Sequence, residues 1–252
     1  MTEPTVALLR DAGLLSGEPD DRYREWLRWT LDAGHSPDEV VGVAREEGVT
    51  PATFAPLAGR TVWRGPDERP YVRVDDARRA RELARLTELL NGGRPSRTDP
   101  RRDRNRWSYS GLFGLNRGDA GTAVRRGALV ATPEGTMMAV AGRRALRALP
   151  NPVDWFSSRG GTTWGEIYVV NGSYDDPAGV LRATVESGKP PPGSGAPGLA
   201  RLLRHERVHS EQWARFGYAR FIWEYVVRHD PRKPCEHPLE REAGLADGGY
   251  RC

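Results

Sequence analysis

His205-Glu206-Arg207-Val208-His209 is the stretch of this chain whose residue types and spacing most plainly offer chemistry. Two histidines four residues apart fall on one face of an α-helix, so both imidazoles can reach a single metal ion. Glu206 lies beside the first histidine, where it can take a proton from a water activated at the ion's open position. The chain has five histidines in 252 residues, and a chance match to this pattern is on the order of one per cent. The plain alternative is a surface helix with two solvated histidines.

A catalytic zinc site needs three protein ligands and one open position. The metzincin pattern would continue with Gly and His where this sequence has Gln212 and Arg215, and no Met follows for a Met-turn, so that completion is excluded. A glutamate on a later helix is the other route. In His237-Pro238-Leu239-Glu240-Arg241-Glu242-Ala243, Pro238 suits a first helical turn. Glu240 and Glu242 lie about 200° apart on a helix, so only one of them can face the ion. Glu240 is preferred because Ala243, one turn on, shares its face and lets this helix lie close to its neighbour. Glu242 and His237 stay open as alternatives, as does an acidic helix start favoured only by the helix dipole.

With these residues in view, the second half of the chain resembles a known family. Leu203 to Trp213, with its HExxHxxQ pattern, Gly217-Tyr218, the aromatic run Phe221 to Tyr225 and the segment Pro238 to Ala243 look like small bacterial gluzincin-type zinc metallopeptidase domains. Thermolysin-like metallopeptidases share the ligand logic: two helix histidines, a catalytic glutamate, and a Glu followed three residues later by a small residue. The resemblance covers roughly residues 125–250. It implies an α+β, zincin-like domain with a small sheet and an active-site helix. In it His205, His209 and Glu240 would bind Zn2+, with Glu206 as general base.

It also implies that a strand beside that helix pairs with an extended peptide or protein substrate, and Thr163 to Val170 is the candidate strand. Two positions depart from the pattern. His237 stands where the family has Asn, close to Cys235. Gly244 stands where thermolysin-like enzymes carry an Asp that orients a zinc histidine, and Asp247, one turn on, is the candidate for that role. An oxyanion would need an electrophilic donor. Tyr218, Tyr225, His229 and Tyr250 are candidates, each equally readable as a packing aromatic or a solvated histidine.

The elements that must position these groups are readable in outline. A helix is expected from about Leu199 to Phe216, with Leu202, Leu203 and Val208 toward a core and Gly217 as its stop. Before it, Lys189 to Gly198 reads as a flexible loop, and Ala128–Thr132 and Thr136–Ala141 as a hairpin around Pro133-Glu134-Gly135. Residues 1–93 read as a mainly helical module. Ser36-Pro37-Asp38-Glu39 forms a capping box, Thr50-Pro51 starts a short helix, strand pieces follow at Thr61–Arg64 and Tyr71–Val74, and a helix runs from about Asp76 to Leu90. The Arg- and Asp-rich stretch 94–110 reads as a solvated linker, which places the catalytic domain at 111–252.

Val40 to Thr53 is similar to a helix-turn-helix, and the following strands and helix would suit a winged variant. The proposed recognition helix, Thr50 to Leu57, lacks Arg and Lys to read bases or phosphates, which argues against nucleic acid and favours a protein partner for this module. Formal net charge is +4, too mild to require an acidic partner. Two cysteines, Cys235 and Cys252, cannot form a disulfide framework; they could pair with each other, but a reducing compartment is the simpler reading. With no signal-peptide pattern and no apolar run long enough to span a bilayer, the expectation is a cytoplasmic protein. Three functions stand: a zinc metallopeptidase, a regulatory protein whose N-terminal module binds DNA or a partner, and a zinc scaffold without turnover.

Overall fold

The computed structural model describes residues 3–94, 99–109, 120–142, 160–230 and 233–252. Its central sheet contains six strands: β1 (Val62–Arg64), β2 (Pro70–Arg73), β3 (Gly127–Ala131), β4 (Met137–Gly142), β5 (Gly161–Trp164) and β6 (Ile167–Tyr174). Their order is β1-β2-β3-β4-β6-β5. All neighbours are antiparallel except β4 and β6, which run parallel.

Side chains alternate between the two faces of a strand, and here both faces are covered. Leu129, Ala131, Met137, Ala139, Ile167 and Val169 pack with the N-terminal helices. Val130, Met138, Val140, Tyr168 and Val170 pack on the other face against Leu181, Val185, Leu199, Leu202 and Leu203. This is why β3, β4 and β6 read as nearly continuous apolar runs. The result is an α+β molecule of three layers.

The first helical layer comprises Glu3–Asp11, Asp21–Asp32, Pro37–Glu47 and Ala80–Leu90. Ser36 and Glu39 form the expected capping box, and the Pro37–Glu47 helix ends at Gly48 in the left-handed region. The segment Pro51–Leu57 is a 3-10 helix whose Phe54 and Leu57 are buried. The strand pair at 62–73 does not stand out as a wing. Val72 pairs with Ala131 and Arg73 with Val130, so this hairpin is built into the central sheet. The sheet thus runs across the boundary expected at 94–110.

Two further expectations change. The segment Thr163 to Val170 is not one strand but a hairpin: Gly165, at φ +62°, lets the chain reverse between Trp164 and Ile167. Within the expected linker, residues 95–98 and 110 lie outside the described residues, as do 111–119, where the second unit was expected to begin. The rest of it is not a solvated connector. Arg101 and Arg102 are buried and meet Glu88, Asp99 and Glu166. Asn105 donates to the Ser210 carbonyl at 2.9 Å, docking this segment on the helix that carries the histidines. No described helix is long and apolar enough to cross a membrane.

Candidate metal centre

The helix Leu199–Phe216 has the bounds that its pattern predicts. Leu202 and Leu203 face the sheet, His205, His209 and Gln212 are buried toward the short helix Pro238–Ala243, and Glu206 is buried against Thr163 of β5. Pro238 and a capping side chain start that short helix; the capping residue is His237, whose Nδ1 accepts from the Leu239 N–H at 3.3 Å. Its Nε2 donates to the Tyr225 carbonyl. Both ring nitrogens of His237 are therefore committed, and it does the capping work ordinarily given to Asn.

His205, His209 and Glu240 come together in the core. Their candidate ligand atoms all lie within 4.8 Å of one another. The two Nε2 atoms are 3.0 Å apart. Glu240 Oε2 lies 3.2 Å from His205 Nε2, and Oε1 3.5 Å from His209 Nε2. A tetrahedral ion with bonds of ~2.0–2.1 Å holds its ligand atoms roughly 3.3 Å apart. Glu242 points elsewhere, onto Arg215 with both oxygens and onto Gln212.

Hydrogen bonds to the far side of each ring fix its protonation. His205 Nδ1 lies 3.2 and 3.1 Å from the Ala243 and Gly244 carbonyls, which can only accept. His209 Nδ1 lies 2.8 Å from Gln212 Oε1. The orientation of that amide is set by its nitrogen, which donates to the Leu239 carbonyl and to Glu242. Each Nδ1 therefore carries the proton, and in the neutral rings two Nε2 lone pairs face each other beside a carboxylate. Glu240 Oε2 is buried and makes no hydrogen bond. Two lone pairs and an unsatisfied carboxylate oxygen converging on one point are a donor set that fits a cation, and these three residues can hold a metal ion.

The charges respond accordingly. Burial alone would lower His209, but Glu240 overrides it and the imidazole is pushed up to about 9. Burial pushes the Glu240 carboxyl up, yet the two histidines more than reverse this and leave it well below the usual carboxylate range. Glu206 is raised by burial and only partly drawn back by His205, His209 and the hydroxyl of Thr163, which donates to its Oε2 at 2.7 Å. Thr163, on β5, escaped the sequence reading because it lies 43 residues from the carboxylate it holds.

A cavity of about 150 Å³ opens beside these groups, with Trp164, Leu202, Trp213, Phe221, Ile222 and Val226 as its apolar wall. Tyr225 and Tyr250 also line it. The Tyr225 hydroxyl donates to Glu240 Oε1. Of the other oxyanion candidates, Tyr218 packs on Trp107 and Trp213, and His229 stacks edge-on against His237. Asp247 is not behind His205; it pairs with Arg201 and Arg204, and the backbone carbonyls at 243 and 244 take the orienting role. Cys235 and Cys252 form a disulfide, the pairing that the reducing-compartment reading had set aside. Comparison with protein-family models, curated proteins and solved structures gives no match.

Proposed function

We propose that this protein is a zinc-dependent peptidase with a zincin-like, gluzincin-type site. The observation that carries the reading is the convergence of two Nε2 lone pairs and Glu240 next to a fourth buried group, Glu206, at one end of an apolar cavity. Zinc bound by His205, His209 and Glu240 would supply Lewis acidity toward a carbonyl and toward water. Glu206, on the helix turn of the first histidine, accepts the proton of the attacking water and returns it to the leaving amine. Its hydrogen bond from Thr163 holds the carboxylate in the orientation this transfer needs. Tyr225 and Tyr250 line the cavity wall; the Tyr225 O–H is committed to Glu240, so Tyr250 is our candidate for donating to a developing oxyanion.

The substrate side is supported by position. β5 is the last strand of the described sheet, and its residues 161–164 line the cavity. An extended peptide added along that edge would lie beside Glu206. The experiment is a peptide-library digest by wild type and by Glu206→Gln, with zinc content measured on both. Hydrolysis should fall by about 10²–10⁴ in the variant at unchanged zinc stoichiometry. Undiminished hydrolysis by the variant would remove Glu206 from the mechanism.

A further inference from the structure

The segment that follows Glu240, residues 244–252, folds back over the histidine helix as a strap. Four contacts hold it there. The Gly244 carbonyl receives His205 Nδ1 at 3.1 Å. Asp247 pairs with Arg201 on the histidine helix. Gly248 lies flat on the His205 ring: a Cβ at this position would stand 2.6 Å from Cε1 and 2.9 Å from both ring nitrogens. Gly249, at φ +80°, passes so close to the backbone at 195–196 that a Cβ there would stand 2.2 Å from Gly195. Tyr250 then forms part of the cavity wall. Beyond it, Cys252 is fastened to Cys235, 17 residues earlier.

That covalent loop encloses most of what completes the centre: the His237 cap, Glu240, the carbonyls that orient His205, Gly248 and Tyr250. The two histidines, Glu206 and Gln212 lie outside it on the helix packed against the sheet, as do Thr163 on β5 and Tyr225. Both cysteines are exposed. Exposed disulfides are the ones open to thiol exchange.

We infer that the Cys235–Cys252 disulfide is a redox clamp on metal affinity, acting through the strap that positions Glu240 and His205. The inference rests on the metal reading of the site given above. A dithiol reductant transfers two electrons and two protons to the disulfide; the S–S bond becomes two thiols and the dithiol becomes a disulfide. The loop then regains the freedom that its closure removed. The third ligand and the ring-orienting carbonyls are carried by that loop, so the lost order is paid in metal affinity.

The test is zinc affinity of the full-length chain, by competition with a chromophoric chelator, in three forms: oxidised, dithiol-reduced with its thiols alkylated and the reductant removed, and Cys235→Ser/Cys252→Ser. Far-UV circular dichroism is recorded on each, and Co2+ in place of zinc reports ligand geometry through its visible bands. The oxidised form should bind one zinc, and the other two should bind about tenfold or more weakly, with altered Co2+ bands. Gly248→Ala keeps the disulfide but pushes on the His205 ring, and it should weaken zinc binding too. Equal affinity in all forms overturns the clamp and leaves the metal site standing; absence of zinc binding by the oxidised protein overturns the metal reading itself. Weak binding in the serine variant with wild-type affinity in Gly248→Ala overturns the strap as the transmitting element.

Discussion

The facing Nε2 atoms of His205 and His209, 3.0 Å apart, make protons and metal competitors for one position. In the metal-free protein His209 is raised from its ordinary 6.5 to about 9. A raised folded-state value means that the protonated ring stabilises the fold fully below pH ~6.5 and that this contribution is lost as pH climbs through about 9. The urea midpoint of the metal-free chain should therefore fall between pH 6.5 and 9, while zinc affinity rises over the same window because the displaced proton leaves more easily. A midpoint that rises there would contradict the assignment. A second expectation concerns Thr163: Thr163→Val should cut hydrolysis about tenfold with zinc retained, and Thr163→Ser should restore most of it. The His205–His209–Glu240 cluster was legible because helix geometry converts spacing into direction, and Glu240 followed from its face shared with Ala243. Thr163 and Gly248 were not, since their partners lie on other elements and no local pattern names them.

At the level of elements, the helices were legible where caps and periodicity agree, as at Ser36–Glu39 and Leu199–Phe216. The hairpin at Gly165 was missed because its turn, Gly165-Glu166, carries no Pro, Asn or Asp, and the β-branched and aromatic residues on either side run together as one. The arginine run was misread for a different reason. Charge looks solvated in a sequence, whereas here Glu88, Asp99 and Glu166, up to 65 positions away, neutralise Arg101 and Arg102 in the interior. Tyr109 adds a hydrogen bond to Glu166. Removing one member leaves opposing buried charge uncompensated. Arg102→Met should cost about 3–5 kcal/mol in denaturant unfolding, against less than ~1 kcal/mol for Arg182→Met at the exposed Arg182–Glu186 pair.

For the whole molecule, the sheet decides what can be separated. β1 and β2 come from the helical half, and β2 finds its partner in β3 on the far side of residues 94–110. Val72 and Val74 belong to the same core as Leu129 and Ile167. A fragment of residues 1–93 would expose that surface and the open β2 edge, so it should fail to give a cooperative unfolding transition while the full chain does. A sharp transition in the fragment would show that the first half stands alone. That the chain mixes helices and strands was readable from helix periodicity and short apolar runs; sheet membership was not, because strand pairing at long range leaves no mark on either partner taken singly.

The edge strand β5 has one more consequence. In a two-residue hairpin the backbone of Thr163 points away from β6, and its carbonyl is already taken by the Trp213 indole N–H at 2.9 Å. The strand that lies open beside the cavity is thus partly stoppered by a side chain of the histidine helix. Two such molecules meeting edge to edge would each forgo the bond to that carbonyl, which discourages pairing along a whole strand without closing the edge to a short peptide beside Glu206. Trp213→Phe keeps the ring and removes the stopper. It should leave the monomer folded but shorten its shelf life in concentrated solution, where light scattering would register the strands finding one another.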